Sequence, residues 1–526
     1  MFDVSWCEKC QVPVLGGICG NCNQVAKKKV PANLRPVFDK EIDFLEAISG
    51  DDLSRFRGIS LWASKRTYFS NGEIAFKLVG GDLFQKPSLE WKKKKLPIPV
   101  PLNRESLAKG NSGFLRVLEI EATSFIQETF KNFSNKGTRV ACSFSGGKDS
   151  SVIHHLTLRA LGKGGVSNLF VDTKIELPET YEFIRSFSKE NELAQCSNDV
   201  DPVRLWREML PPSRIIRWCC SVLKTGPYEH FLNTEWGSRR VLTFDGIRAD
   251  ESKIRSQYAR ISRDTKIKHQ TSARPILHWN TFEVWLYLLV HQIPFNPAYE
   301  LGFDRVGCIV CPFGTQKNDF LNWHFHRKEI EPFLDTVFDL AGQNGLENVD
   351  SFVQEGTWKK RKGGLFFNSS EKIRVEEDTF TRKIQVQNPA LSENLESLFV
   401  PLGRLTLLSK EGGSSVFSIV GPEGSALLEI DHKGQELEIN VEVISGNTKK
   451  ILSHVFKQAN KIGYCAYCRF CELICPQQAI KVTENTFSLD PEKCVQCGKC
   501  LSFQAYGCFA KWSKTTGGVL HELRST

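Results

Sequence analysis

A chain of 526 residues, 41% of them hydrophobic, is too long for one core and by length divides into about three or four domains. It contains no run of the roughly 18 apolar residues that span a bilayer, and MFDVSWCEKC lacks the basic-then-apolar order of a signal peptide, so a cytoplasmic protein without membrane contact is expected. The net charge of +9 gathers early: residues 1–110 hold 18 Lys and Arg against 12 Asp and Glu, a surplus of 6, with runs at 27–29 and 92–95. Such runs fit solvated lysines or an anionic partner such as RNA.

Eighteen cysteines in a cytoplasmic chain argue for metal or redox chemistry over disulfides. They are clustered, and Cys142 and Cys196 alone stand apart. In residues 1–30, Cys7-x2-Cys10 and Cys19-x2-Cys22 supply four soft thiolates from two tight turns, with Gly16, Gly17 and Gly20 easing the backbone. This spacing predicts a zinc ribbon with a tetrahedral four-cysteine zinc site. Residues 31–110 read as a small β-rich basic module from ISLWAS and TYFSNGEIAFKLVG, closed by a Pro-rich linker, LPIPVPLNRES, at 96–106.

Residues 111–330 alternate strand-like and helical runs: RVACSFS, SSVIHHLTLRAL, VSNLFVDT, PETYEFIRSF and RRVLTFDGI. The expected fold class is α/β, a parallel sheet covered by helices. Within it, SFSGGKDSS (143–151) follows a strand and opens a helix. Gly146 and Gly147 allow close approach of backbone to an anion and the helix start offers N–H groups. Lys148 adds charge, Asp149 suits Mg²⁺, and Ser145, Ser150 and Ser151 add hydroxyls, together a pyrophosphate cradle.

SGGKDS resembles the PP-loop of the ATP pyrophosphatase superfamily, and the blocks after it resemble the phosphoadenosine phosphosulfate (PAPS) reductase branch. These blocks are FVDTKIELPETYEF (170–183), RWCCSVLKTGP, DGIRADESKIR (245–255) and PILHWNTFEVWLYLLVHQIPFNPAYELGFDRVGCIVCP (275–312). The resemblance implies an adenine nucleotide, ATP or adenylylsulfate or its 3'-phosphate, at the C-terminal edge of the sheet. It places Asp172 and Glu176 near the nucleotide, and Gly246, Arg248 and Arg255 around phosphate or sulfate, where a guanidinium donates paired hydrogen bonds. Arg248 and Arg255 pairing with Asp250 and Glu251 is the plainer reading. Lys148, Asp149, Arg248 and Arg255 are the candidate catalytic groups.

A disulfide between the neighbours Cys219 and Cys220 would be strained. Adenylylsulfate reductases of the same family carry a CC and a later CxxC that hold a 4Fe-4S cluster, and Cys219, Cys220, Cys308 and Cys311 resemble that set, with zinc the rival occupant. Arg217 and Lys224 would offset thiolate charge. Two departures stand out: no ECG(L/I)H tail supplies a nucleophilic cysteine, and the complete SGGKDS resembles ATP-cleaving members more than reductases.

Residues 331–455 read as a helical, charged connector followed by a β module with hairpins around EGG and KG. In 456–526, CAYCRFCELICP has the spacing of a two-cluster bacterial ferredoxin, so Cys465, Cys468, Cys471 and Cys508 are grouped as one 4Fe-4S site. Cys475, Cys494, Cys497 and Cys500 form the other. The leading functional reading is reductive sulfur chemistry on an adenylylated species, adenylylsulfate or PAPS reduced to sulfite with electrons from this segment and an upstream redox partner. The alternatives are an ATP-dependent sulfurtransferase such as a tRNA-thiolating enzyme, for which the N-terminal module faintly resembles RNA-binding PUA domains, and a non-catalytic nucleotide sensor or nucleic-acid binder. The oligomeric state is not legible.

Protein purified anaerobically is expected to carry about twelve irons in three 4Fe-4S clusters together with one zinc. Iron near eight with two zincs would move the central four-cysteine set from cluster to zinc.

Overall fold

Strand-forming runs between 139 and 273 build one mixed six-stranded sheet, ordered Leu193–Ser197, Ser167–Asp172, Arg139–Ser143, Val241–Phe244, Gln270–Ala273, Ile261–Arg263. In this computed structural model the described residues are 2–92, 97–133, 138–237, 240–263, 267, 269–362, 364–367 and 371–514. Lysines 93–95 of the second basic run and the tail 515–526 lie outside them. The chain divides into two compact units, Met1–Cys196 with Glu235–Ile330, and Ser197–Thr234 with Glu331–Thr526. Residues 197–234, expected inside the 111–330 domain, therefore group with the C-terminal half.

In the first unit, Arg139–Ser143 pairs in parallel with both Ser167–Asp172 and Val241–Phe244, with Val241 opposite Arg139 and Ser167 opposite Ala141. The strand order reverses between these neighbours, and in open α/β sheets ligands bind at that switch point, outside the carboxyl ends of the strands. Both SGGKDS and DGIR leave those two ends. The final strand, Ile261–Arg263, is antiparallel to Gln270–Ala273. Alternation along the strands buries Cys142, Leu242 and Phe244 with Val152, Leu156 and Trp285. Phe144 and Phe170 pack separately with Phe183 and Ile184.

Local signals fix the helices. Pro178 occupies the first turn of Pro178–Glu190, where its missing N–H costs nothing. Asn280 and Glu283 form a reciprocal capping box on Thr281–Val290, with bonds of 2.8 and 2.6 Å. The supposed linker gives way at Arg104 to a 30-residue helix ending at Phe133. Its Asn111 accepts from the Leu15 amide at 2.8 Å and donates to the Pro13 carbonyl at 3.0 Å, seating the N-terminal three-stranded sheet (Val4–Cys7, Val12–Leu15, Lys28–Val30).

A five-stranded antiparallel sheet spans Arg35 to Trp91 and is joined to segment 297–317 by a buried ionic group. Arg35 donates to both Glu41 oxygens at 2.6 and 2.7 Å and to Asp304 at 2.6 Å. Tyr68 donates to Glu41 at 2.7 Å, and Lys317 lies 3.4 Å from Asp304 and 3.8 Å from Glu41. Burial alone would raise the Glu41 carboxyl, but Arg35 and Lys317 hold it below its usual range.

In the second unit, Pro202–Met209, Trp218–Cys220 and Gly226–Thr234 are helical, joined by a π-turn over Ser221–Thr225 directly after the cysteine doublet. Local π-turns of this kind often mark functional positions. Arg361 knits distant segments: it donates to the Pro211 carbonyl at 2.8 Å, and to the Ser513 carbonyl and hydroxyl at 2.8 and 2.7 Å. The expected helical connector is only partly helical. Ile373–Glu377 and Thr381–Gln387 are strands that extend the hairpins Arg404–Gly446 into a six-stranded antiparallel sheet. Ile373, Ile384 and Val386 are buried while the charged neighbours face solvent, and that charge masked the alternation.

Arg35→Met leaves the buried Glu41 carboxylate, and the partly exposed Asp304, short of their main partner and is expected to destabilise the first unit by about 3–5 kcal/mol. Urea unfolding followed by tryptophan fluorescence checks it; a midpoint within error of wild type would remove the ionic group from the stability of this unit.

Candidate nucleotide and metal sites

The loop after Arg139–Ser143 turns through Gly146, whose φ of +71° is a region other residues rarely adopt. The helix then starts at Lys148, capped by Gly147. First-turn amides have no intrahelical acceptor. The Lys148 amide donates to the Tyr299 hydroxyl at 3.0 Å, while those of Gly147, Asp149 and Ser150 remain for an anion. A Cβ on Gly147 would stand 3.5 Å from Ser145 Oγ and Tyr299 OH, so the protein itself does not demand glycine there.

Lys148 is buried, its ammonium 3.0 Å from Asp149 and 5.5 Å from the Tyr299 ring centroid. Asp149 also accepts from Arg248 at 2.6 Å, and Arg248 continues to Asp250 at 2.6 Å. Burial would raise the Asp149 carboxyl, yet the charges of Arg248 and Lys148 bring it down to about 2. Burial would likewise lower Lys148, whose pKa is instead held up by Asp149 and Tyr299. Gly246 lets the two loops touch, because a Cβ there would lie 3.0 Å from the Asp149 backbone. Ser150 and Ser151 donate to the Gly147 carbonyl at 2.8 and 3.3 Å.

Asp172, at the end of the adjacent strand, accepts from Tyr181 at 3.0 Å and from the Lys174 amide at 2.8 Å. Glu176 accepts from Thr173 at 2.8 Å, and Cys308 Sγ lies 3.6 Å from Thr173 Oγ1 and 4.0 Å from Glu176. The Ile309 amide donates to the Ile175 carbonyl at 2.8 Å, and the Cys311 amide to Cys308 at 3.2 Å. The CxxC turn thus sits against the loop that carries Asp172 and Glu176. Arg255 pairs with Glu251 one turn away, as the plainer reading had it, and Arg248 is committed to Asp149 and Asp250. Tyr299, Thr173 and Tyr181 escaped the sequence reading, since no spacing tells that these hydroxyls reach the loops.

At the N-terminus the sulfurs of Cys7, Cys10, Cys19 and Cys22 lie within 4.8 Å of one another, with Cys7 and Cys22 3.6 Å apart. The Cys10 amide donates to Cys7 Sγ at 3.4 Å and Asn21 to Cys10 Sγ at 3.3 Å. The Gln24 amide helps hold Cys22 at about 7, while burial pushes Cys7 up to about 12. Four sulfurs this close together could hold one metal ion. Gly20 serves packing as well as the turn, since a Cβ there would meet the Lys109 carbonyl at 2.7 Å. In the first basic run, Lys28 pairs with Glu73 at 3.1 Å and Lys29 with Asp3 at 2.6 Å.

In the second unit, Cys465 caps the helix Thr448–Tyr464 and Cys471 lies on the turn Phe470–Leu473. Burial, above all, pushes the thiols of Cys465, Cys468 and Cys471 upward; the charge of Cys508 adds to it at all three, while Lys461 acts the other way on Cys471. Burial likewise raises Cys494 and Cys500; Cys475 and Cys497 add to it at both, and at Cys500 Lys461 opposes it while Cys471 adds to it. A small cavity is lined by Cys475, Cys494, Cys497 and Cys500 together with Pro476, Ile480 and Leu489. These cysteines of the second unit thus lie close enough to act on one another's charge, and four of them line one cavity. Cys219 is half-buried and Cys220 exposed. The doublet lies in the second unit, the Cys308–Cys311 turn in the first.

Gly246→Ala is expected to push the DGIR loop off Asp149, at about 1–3 kcal/mol, and to lower both stability and nucleotide affinity. Gly147→Ala should leave the thermal midpoint unchanged yet weaken anion binding. Calorimetry with ATP and thermal unfolding of both variants separate the two roles; equal effects would deny the distinction.

Residues 139–313 match the model of the phosphoadenosine phosphosulfate reductase domain. An uncharacterised protein of Methanocaldococcus jannaschii is 33% identical over 298 residues, 54% of this chain and 59% of that protein. A second from the same organism is 31% identical and covered to 60%, so the chain spans about three-fifths of these two relatives. Adenosine 5'-phosphosulfate reductase of Bacillus mycoides is 30% identical over 34% of this chain and 75% of its own length. Among solved structures, phosphoadenylyl-sulfate reductase from Candida auris aligns at a TM-score of 0.28 with 16% identity, over 40% of this chain and 97% of that one. Among the described residues no helix is long and apolar enough to cross a membrane. With its ordered blocks from the SGGKDS loop to the GCIVCP turn, the chain belongs through residues 139–313 to the phosphoadenosine phosphosulfate reductase family.

Proposed function

We propose that this chain is an iron-sulfur enzyme that reduces the sulfur of an adenylylated species, adenylylsulfate or its 3'-phosphate, at the SGGKDS loop. Two electrons break the bond between sulfur and the phosphate oxygen, and sulfite and the adenine nucleotide leave. The observation that supports this reading is the packing of the segment that carries the cysteine doublet, residues 198–229, against the C-terminal cysteine block. A Cβ on Gly226 would meet the Phe470 ring at 3.0 Å; Asn198 donates to the Cys468 carbonyl at 3.0 Å and to the Val222 carbonyl at 3.0 Å. Arg204 donates to the Ala466 carbonyl at 3.2 Å, and Lys499 pairs with Glu229 at 3.4 Å. A segment that the family uses beside its substrate is here bonded to the cysteine block that would feed it.

The residues divide the work. The amides of Gly147, Asp149 and Ser150 and the hydroxyl of Ser145 take the anionic phosphates; Lys148 sets a positive charge beside them, fixed by Tyr299. Arg248 holds Asp149 ionised, available to Mg²⁺, and Asp172 and Glu176 face the nucleotide from the neighbouring strand. Cys465, Cys468, Cys471 and Cys508 would hold one 4Fe-4S cluster and Cys475, Cys494, Cys497 and Cys500 another, and such clusters, when bound, pass single electrons. On the sequence pattern alone, Cys219, Cys220, Cys308 and Cys311 are the ligands proposed for a third. Zinc suits Cys7, Cys10, Cys19 and Cys22, because sulfurs bound at about 2.3 Å to one ion lie about 3.8 Å apart.

ATP-dependent sulfur transfer is the second reading, favoured by the complete loop with its buried Lys148–Asp149–Arg248 chain and by the missing tail cysteine. In that case ATP adenylylates the oxygen of an acceptor such as tRNA with release of pyrophosphate, and sulfide-level sulfur then attacks the same carbon and AMP leaves with the oxygen. An anaerobic assay with ATP, adenylylsulfate and its 3'-phosphate in parallel, with a reduced viologen as donor, separates them: sulfite is expected, whereas pyrophosphate without sulfite would transfer the assignment to the second reading. Lys148→Ala should weaken the active nucleotide roughly tenfold to a hundredfold by removing a charged donor; unchanged affinity in calorimetry would remove the loop from the site.

A further inference from the structure

Lys461 lies on the helix Thr448–Tyr464, four residues before Cys465, and only 3% of its surface is exposed. Lysine is almost never buried so fully without a partner. Yet among the described residues no carboxylate lies within ion-pair distance of it. Its ammonium makes one hydrogen bond, donating to the Cys500 carbonyl at 2.7 Å, though it has three N–H groups. Its own carbonyl accepts from the Cys465 amide at 2.9 Å. One residue therefore spans both sulfur sets, tied by backbone to the first and by side chain to the second. The thiols near enough to act on its charge are Cys471, Cys500, Cys508 and Cys465, drawn from both sets. Its neighbour Asn460 donates to the Tyr506 carbonyl at 3.1 Å, which steadies the approach to Cys508.

A buried cation with no anion to answer it is costly, and the missing anion has to be what the sulfurs hold. A cluster ligated by four thiolates is negative and becomes more so when it accepts an electron. A fixed positive charge beside it stabilises the reduced form and raises the potential, since net charge and hydrogen bonds to the sulfurs set that potential. We infer that the Lys461 ammonium is a fixed countercation shared by both cysteine sets, and that it raises the reduction potentials of the two clusters together. This rests on the reading that the two sets hold 4Fe-4S clusters. A common cation keeps the two potentials close, which lets an electron cross from one to the other without a large step.

The experiment is a reductive titration of the anaerobic full-length protein, read by electron paramagnetic resonance, for wild type, Lys461→Met, Lys461→Gln and Lys461→Arg, with iron counted in each. Wild-type protein without cluster iron ends the cluster reading itself, before any potential is compared. Where the clusters are present, Lys461→Met and Lys461→Gln should lower both midpoints, the reduced-to-oxidised ratio at fixed potential falling roughly tenfold, about 59 mV for a one-electron couple. Lys461→Arg should stay near wild type. Unmoved midpoints, or a shift in one cluster alone, overturn the assignment. Should Lys461→Met and Lys461→Gln lose their iron, its retention in Lys461→Arg supports the countercation; its loss in all three marks Lys461 as packing only and overturns it.

Discussion

A thiol withdrawn from water keeps its proton unless something positive stands beside it, and this constraint governs how the molecule is built around its cysteines. At the N-terminus two tight turns bring four sulfurs to within 4.8 Å, with backbone and Asn21 N–H groups aimed at them. In the second unit eight more cysteines fall between 465 and 508, and Cys475, Cys494, Cys497 and Cys500 line one cavity beside the hairpin Ile480–Val482 with Phe487–Leu489. Groups so placed repel one another when ionised. Lys461 is the complement supplied by the protein.

The first unit solves the same problem with fixed ion pairs. Arg35, Glu41, Asp304 and Lys317 bury two charges of each sign, so that no charge is left without an opposite neighbour. Asp304 and Lys317 flank the Cys308–Cys311 turn, so the antiparallel sheet from Arg35 to Trp91 braces the loop that lies against Glu176. The Lys148–Asp149–Arg248–Asp250 chain works at the switch point of the mixed sheet: it holds two loops of different strands together and leaves backbone amides for an anion. Arg248, which the family resemblance sets against phosphate or sulfate, donates to Asp149 and Asp250.

Local pattern revealed the strands, the SGGKDS turn and the cysteine spacings, because each is a matter of neighbours along the chain. It read 331–395 as helical and charged, and missed Ile373–Glu377 and Thr381–Gln387, whose solvent faces are so polar that one apolar stripe does not stand out. It took 96–106 for a linker, although a helix begins at Arg104, because the prolines before it hid its start. Tyr299 could not have been found, since it lies 151 residues from the amide it accepts.

What the sequence by itself determined is the chemistry: soft ligands in pairs, a glycine turn before a helix, and blocks in the order of one family, all properties of short stretches with fixed backbone geometry. What only the tertiary structure decided is which of these groups act on one another. Side chains such as Arg248, Lys461 and the Gly226 backbone have partners scores of residues or more away in some cases and nearby in others, and burial, which spacing does not encode, chose among them. The segment that carries Cys219 and Cys220 shows it most plainly: the doublet stands out in the sequence, but only the fold shows that Gly226, six residues on, packs against Phe470 beside the C-terminal cysteines.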